Sequence, residues 1–310
     1  GVQTCALPIF RGGGLVWVDA NPKTEKNHEF VRNATALHDA GLLAPEVKGV
    51  DYEQGLLAVT DLGDTQLIGC LNEASVLAWY GKAIALLPRL GTVALELEPF
   101  DEAFMARENA IFPEWLLGHH LQLTLSDEEL QLLAETFACL TASNQAQPQG
   151  VMHRDFHSRN LMVCGGMNPK ESDLALIDFQ DMVIGPLSYD LVSLLKDCYV
   201  RWPDAVIEQG MRLGFDTLQG AGLLGNLDYA AFRRAADLTG MQRHLKAAGL
   251  FTRLYHRDGK AGYLKDIPRT LGYVVDVCRS HGAAYPVLAR FGQWLEQVVL
   301  PGLARTGVTP

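Results

Sequence analysis

Long hydrophobic runs are missing from this 310-residue chain. No stretch of about 18 consecutive apolar residues offers a membrane-spanning helix, and no basic segment followed by an apolar core and a small-residue cleavage site opens the chain. A cytoplasmic protein with no membrane partner is expected. Positive charge is scarce as well: 26 Lys and Arg against 36 Asp and Glu leave a net charge of −10. With no Lys/Arg block to release counterions, a nucleic-acid partner is not expected, and any polyanionic ligand has to be held by local chemistry. The six cysteines, Cys5, Cys70, Cys139, Cys164, Cys198 and Cys278, form no C-x-x-C and pair with no histidine at zinc spacing, so reduced thiols are expected. No internal repeat or low-complexity tract is visible. What the chain does have is apolar bulk, 48% of its residues, enough for one large domain or two lobes.

The opening GVQTCALPI, residues 1–9, reads as the translation of a sequencing adapter, with the natural start missing; native sequence is expected from Phe10. RGGGLVWVDANP then reads as a glycine turn and a strand over Leu15 to Asp19, and the glycines suit a hairpin better than a phosphate cradle because no helix follows them. KTEKNHEFVRNATALHDAGL places Phe30, Ala34, Leu37 and His38 on one helical stripe that stops at Gly41. Two strands, Val47 to Val50 and Leu56 to Thr60, complete a small sheet. Beyond a connector at 60–66 the pattern turns helical, over 73–90, 100–121, 126–146, 188–200, 204–222, 227–249 and 268–300, with strand-like pieces only at 161–163 and 174–178. The expectation is an α+β, bilobal plan: a small β-rich lobe followed by a large helical one.

MHRDFHSRNLMV, residues 152–163, crowds His153, Asp155, His157 and Asn160 together. Alternation throws the first three to one face of an extended segment, as a hydrolytic metal site would want, but the other histidines lie in helical or polar context. A buried polar knot without chemistry is the other bland reading. A phosphoryl-transfer loop fits better: HRDFHSRN matches H-R-D-x-x-x-x-N, and LALIDFQD supplies a hydrophobic strand ending in Asp178. Such chemistry needs a carboxylate to guide the proton off the attacking hydroxyl, a role that suits Asp155. It also needs hard oxygen ligands for Mg²⁺ on the nucleotide phosphates, a role that suits Asn160 and Asp178.

These two motifs, with Gln180 in place of the glycine of Asp-Phe-Gly and with no Ala-Pro-Glu or activation segment after IDFQDMVIGPLSYDLVSLLKDCYV, resemble the aminoglycoside phosphotransferase and choline kinase superfamily. Together with WVDANP, FPEW and GMQRHLKAAGLFTRLYHRDGKAGYLKDIP, they resemble its branch of anomeric sugar kinases acting on N-acetylmuramate and N-acetylglucosamine. The resemblance implies a protein-kinase-like fold, ATP and Mg²⁺ as cofactors, a small-molecule sugar as partner and no obligate protein partner. It implies that residues 10–62 form an incomplete nucleotide-binding lobe, lacking its phosphate-covering hairpin. Residues 63–310 would form the helical lobe with the catalytic loop and substrate site. Asp155 would be the base, Asn160 and Asp178 the metal ligands, and Val59, Thr60, Asp61 and Leu62 the connector whose main chain meets the adenine. His153 would support the loop from below, and Asp190 would accept main-chain N–H bonds. The strand lysine of many relatives is absent, Asp19 standing near its place.

Substrate recognition calls for a cation to meet a lactyl carboxylate and an aromatic face for a sugar ring. Arg243, Lys246 and Arg107 are candidates for the first, Trp115 for the second, and His157 for contact with phosphate or sugar. Two alternatives stay open: a phosphotransferase for an aminoglycoside or other small alcohol, and a nucleotide-binding pseudokinase. Against the first, the C-terminal segment has few acids to meet a cationic drug. Against the second, Asp155, Asn160 and Asp178 are all intact.

Overall fold

A computed structural model describes residues 7–308, with residues 7–11 described by their backbone alone. In chain order the strands and helices are β1 (Leu7–Gly12), β2 (Leu15–Asp19), α1 (Asn27–Asp39), β3 (Val47–Asp51), β4 (Leu56–Thr60), α2 (Val76–Ile84), α3 (Leu87–Gly91) and α4 (Glu102–Asn109). A π-helix over Phe112–His120 leads to α5 (Asp127–Gln145), then β5 (Gln149–Met152), β6 (Leu161–Cys164), β7 (Asp173–Leu176), β8 (Val183–Pro186), α6 (Ser188–Leu195) and α7 (Asp204–Gly220). The chain ends with α8 (Tyr229–Asp258), α9 (Ile267–His281), α10 (Pro286–Trp294) and α11 (Leu300–Arg305). It divides into two compact units. The first comprises the described residues up to Glu98 with Pro148–Leu195 and Pro203–Asn226; the second comprises Pro99–Gln147, Lys196–Trp202 and the residues from Leu227 onward.

In the first unit, four strands pair in the order β1-β2-β4-β3, all antiparallel. Gly13 and Gly14, at φ of +62° and +76°, form the two-residue turn between β1 and β2, a geometry that needs two left-handed residues and so favours glycine. The expected hairpin is therefore present. Of the segment read as adapter-derived, residues 1–6 lie outside the described residues, while Leu7 and Pro8 pair with Asp19 and Val18. On β2 the period of two sends Val16 and Val18 inward, where they pack with Phe30, Val31 and Val47 on Ala20, Leu57 and Val59. Helix α1 ends as expected: Gly41 takes φ +72° and the Leu42 N–H returns to the Leu37 carbonyl at 2.9 Å.

Two short ribbons complete the site-bearing part of this unit. β5 pairs with β8 and β6 with β7, both antiparallel, so one ribbon is nested within the other along the chain. The connection from β5 to β6 and the connection from β7 to β8 must then run side by side. Strands β5 and β8 were not expected; at four residues each they are too short to show a period.

The second unit is helical. Helix α8 runs to Asp258, where Gly259 at φ +69° closes it, and not to the expected stop at Gly249. Gly249 serves packing instead: a Cβ there would stand 2.4 Å from the Ile111 carbonyl oxygen. The single helix expected over 268–300 is two helices and a π-turn, broken after His281 and restarted by Pro286 in the first turn of α10. Among the described residues, no helix is long and apolar enough to cross a membrane, and Cys70, Cys139, Cys164, Cys198 and Cys278 are free thiols.

Candidate active site

The nested ribbons bring the loop over residues 153–160 against the turn over 177–182, both in the first unit. The Ile177 N–H donates to the Asn160 carbonyl at 3.1 Å. The Asn160 Nδ2 then reaches two partners, the Asp155 carbonyl at 3.1 Å and the Asp178 Oδ2 at 3.2 Å. Gln180 Nε2 holds the other Asp178 oxygen at 2.7 Å. Asp155, Asn160 and Asp178, picked out on sequence spacing alone, thus form one cluster. Burial and the negative charge of Asp155 push the Asp178 carboxyl above its usual range.

Two backbone positions carry strain here. Arg154 and Asp178 sit at φ of +72° and +66°, where a side chain is unfavourable, and the surroundings hold both. Asp190, buried at the start of α6, accepts from the N–H of His153 at 2.7 Å and of Arg154 at 3.0 Å. That is the main-chain role expected of it. Arg154 Nη1 donates to the Asp181 carbonyl at 3.1 Å, linking loop to turn. His153 is fully buried beneath the loop with Phe156 edge-on to it; burial pulls its pKa down to about 4, against the opposing pull of Asp155. It is a neutral support at pH 7. His157 is buried too, and its N–H donates to the Asp155 carbonyl at 2.9 Å. The three-ligand metal site that His153, Asp155 and His157 could have formed does not occur: among the described residues, no group of three His, Cys, Asp or Glu side chains is arranged to hold an ion.

The connector follows β4. Val59 is buried in the sheet core, the Thr60 N–H donates to the Glu46 carbonyl at 2.9 Å, and the Asp61 N–H donates to the Gly14 carbonyl at 2.9 Å. Asp61 turns its carboxylate onto the Gly63 N–H at 2.9 Å, and Leu62 is half-buried.

The remaining sequence candidates lie in the second unit. Arg243, 6% exposed, points Nη1 at the Cys198 Sγ at 3.5 Å. Lys246, one turn on, pairs with Glu108 at 2.6 Å. Although neighbours on α8, the two cations face different partners. Arg107 is exposed over the Phe104 ring, and Trp115 is half-buried and stacked on His119. Lys26 and Asn33 also reach the turn over 177–182. Asn33 is fully buried and donates Nδ2 to the Phe179 carbonyl at 2.9 Å, and Lys26 pairs with Asp181 at 2.7 Å. Only long-range contact marks them, so spacing gave no signal.

A carboxylate and an amide beside a second, half-buried carboxylate, on a loop and turn between two ribbons, make the arrangement expected of a phosphotransferase of the kinase-like class. The chain belongs to the phosphotransferase enzyme family, which it matches over residues 12–224. A choline/ethanolamine kinase family protein from Mesorhizobium loti shares its fold, with a TM-score of 0.61 and 16% identity over 88% of this chain and 86% of that one. At the level of sequence it is similar to the N-acetylmuramate/N-acetylglucosamine kinase of Pseudomonas putida, with 35% identity over 93% of this chain and 82% of that protein. It is also similar to the N-acetylmuramate/N-acetylglucosamine kinase of Pseudomonas aeruginosa, with 34% identity over 92% and 83% of the two chains. The protein-kinase-like, α+β expectation holds, with a small sheet-rich N-terminal part and a larger helical part.

Proposed function

We propose that the protein transfers the γ-phosphoryl group of ATP to the anomeric hydroxyl of N-acetylmuramate or N-acetylglucosamine. Such a reaction would return recovered cell-wall sugars toward nucleotide-sugar synthesis in the cytoplasm. The observation that carries the chemistry is the Asn160 side chain, which ties the main chain of Asp155 to the carboxylate of Asp178 at 3.1 and 3.2 Å. The names of the relatives above support the choice of sugar.

In this reading Asp155 accepts the proton of the attacking hydroxyl. An anomeric hydroxyl is more acidic than an ordinary sugar alcohol, so a carboxylate is base enough to guide its proton away as the phosphoryl group arrives. Asp190 keeps the loop in place through its two main-chain bonds. The connector Val59 to Leu62 meets the adenine through its main chain. Asn160 and Asp178 fit a divalent cation: both offer hard oxygens, and burial and the negative charge of Asp155 hold the Asp178 carboxyl above its usual range. When bound there, Mg²⁺ would neutralise charge on the phosphate oxygens. In the helical unit, Arg107 and Trp115 present the more accessible faces for a sugar; Arg243 and Lys246 would act from within its interior.

Phosphorus NMR of the product tests the reading. Phosphate is expected at C1, with methyl 1-O-glycosides inert and 6-deoxy sugars still turned over. Asp155→Asn is expected to lower kcat by about 10²-fold or more while leaving sugar affinity nearly unchanged. A C6 phosphate, or turnover of the variant within about threefold of wild type, would refute the anomeric assignment or the base respectively.

A further inference from the structure

Asp178 cannot hold its strained conformation alone, and what surrounds it includes α1 at three places. Phe30 stacks on Phe179, ring centroids 4.8 Å apart. One turn on, Asn33 donates Nδ2 to the Phe179 carbonyl at 2.9 Å, and Arg32 fixes the direction of that amide by donating to its Oδ1 from Nε at 3.1 Å and Nη2 at 3.0 Å. Just before the helix, Lys26 reaches Asp181 at 2.7 Å. Phe179 and Asp181 follow Asp178 by one and three residues. The helix is itself anchored: Asn27 donates to the Ala20 carbonyl at 2.8 Å at one end, and the Leu176 N–H donates to the Leu43 carbonyl at 2.8 Å just beyond the other. Asn33 is buried, its Nδ2 donates to this turn and its Oδ1 is held by Arg32, so it does more than fill space.

We infer that α1 is the positioning element for the turn that carries Asp178, with Asn33 and Lys26 as its polar anchors. The inference rests on the metal-binding role proposed above for Asp178. Neither residue touches the reacting atoms; each acts by fixing the main chain on one side of the ligand. Asn33 sets the carbonyl that follows Asp178. Lys26 restrains the turn three residues on, where Arg154 also arrives from the loop. The sequence between is short, so a shift of either anchor turns the Asp178 carboxylate away from Asn160.

The test is a Mg²⁺ titration of turnover in the full chain at saturating ATP and sugar, read by ADP release, with a thermal melt of each variant. Groups that orient a metal ligand typically matter by tenfold or more, so Asn33→Ala is expected to raise the Mg²⁺ concentration for half-maximal turnover about tenfold with sugar KM unchanged. The Lys26 pair is partly exposed and counts for less. Lys26→Asp is expected to raise that concentration about threefold, and adding Asp181→Lys to return it toward wild type. A folded Asn33→Ala with wild-type Mg²⁺ dependence, or a charge swap that recovers nothing, overturns the inference. Should Asn33→Ala fail to fold, the Lys26 series decides alone, shift and recovery supporting it and no shift overturning it. Asp178→Ala separates the two levels. If it loses Mg²⁺ dependence while the α1 variants keep it, only the role of α1 falls; if it too keeps wild-type Mg²⁺ dependence, the metal reading falls and takes this one with it.

Discussion

Asp178 gathers three costs in one residue: a left-handed backbone, burial, and a second carboxylate close by. A chain under selection for stability alone has no use for that combination, whereas a cation site does. The consequence can be measured without turnover. Because its carboxyl titrates above the usual range in the folded state, the folded protein holds that proton more tightly than the unfolded chain. Metal-free stability on this account falls as pH rises from the ordinary carboxylate value through the raised one. Asp178→Asn is therefore expected to raise the melting temperature of the metal-free protein at pH 7 and to abolish any further rise on adding Mg²⁺. A lower melting temperature with the Mg²⁺ response intact would contradict the assignment. The clustering of Asp155, Asn160 and Asp178 was legible in the sequence because the pattern that picks them out is local, an eight-residue loop and one strand end. Asn33 was not: its partner lies 146 residues away, and nothing near an asparagine on a helix announces which carbonyl it will meet.

Among the elements, those with a period were readable and those fixed by packing were not. The α1 stripe, the pair β3 and β4, and the glycine hairpin all follow from side-chain alternation or turn chemistry. β5 and β8 exist because they pair with each other, a non-local fact that four residues cannot advertise. Gly249 shows how a local rule misleads. Glycine commonly ends a helix, yet here it lies inside α8, where its missing side chain lets the helix approach the main chain of Ile111 and Phe112. Gly249→Ala sets two effects against each other. Helix propensity favours alanine by about 1 kcal/mol. Against it, a Cβ at 2.4 Å from the Ile111 oxygen, 2.7 Å from its carbonyl carbon and 2.8 Å from the Phe112 Cα meets only backbone, which cannot swing aside. Overpacking of this kind costs about 1–3 kcal/mol, with rigid contacts at the upper end, so net destabilisation is expected in urea unfolding. A more stable variant would show that the π-helix yields easily.

For the whole molecule, acid is the condition to which the buried ionisable groups respond together. Each unit hides a neutral histidine. His153 lies under the loop of the first, its pKa pulled down to about 4 by burial. His244 lies in the second, stacked on Tyr273 with Nε2 2.8 Å from the Lys196 carbonyl; burial first and the charge of Arg243 second pull it down to about 3. Both take up a proton in the unfolded chain near the ordinary histidine value of about 6.5, long before they do so when folded, so unfolding consumes protons as the pH falls through that window. Asp237 adds a second phase. Against the cost of burial, the His281 hydrogen bond and the charges of Lys196 and Arg233 hold its carboxyl well below the carboxylate range. The stability it contributes is present above its unfolded value and is lost as pH falls below it. Stability is accordingly expected to drop from pH 6.5 downward by about 1 kcal/mol per pH unit for each buried histidine, and more steeply once the carboxylates protonate below about pH 4. Urea titrations at pH 7, 6 and 5 measure the first phase, and His244→Gln should roughly halve its slope. A flat profile between pH 7 and 5 in the wild type would mean that both rings titrate near the ordinary histidine value when folded, and that neither unit buries a neutral histidine at all.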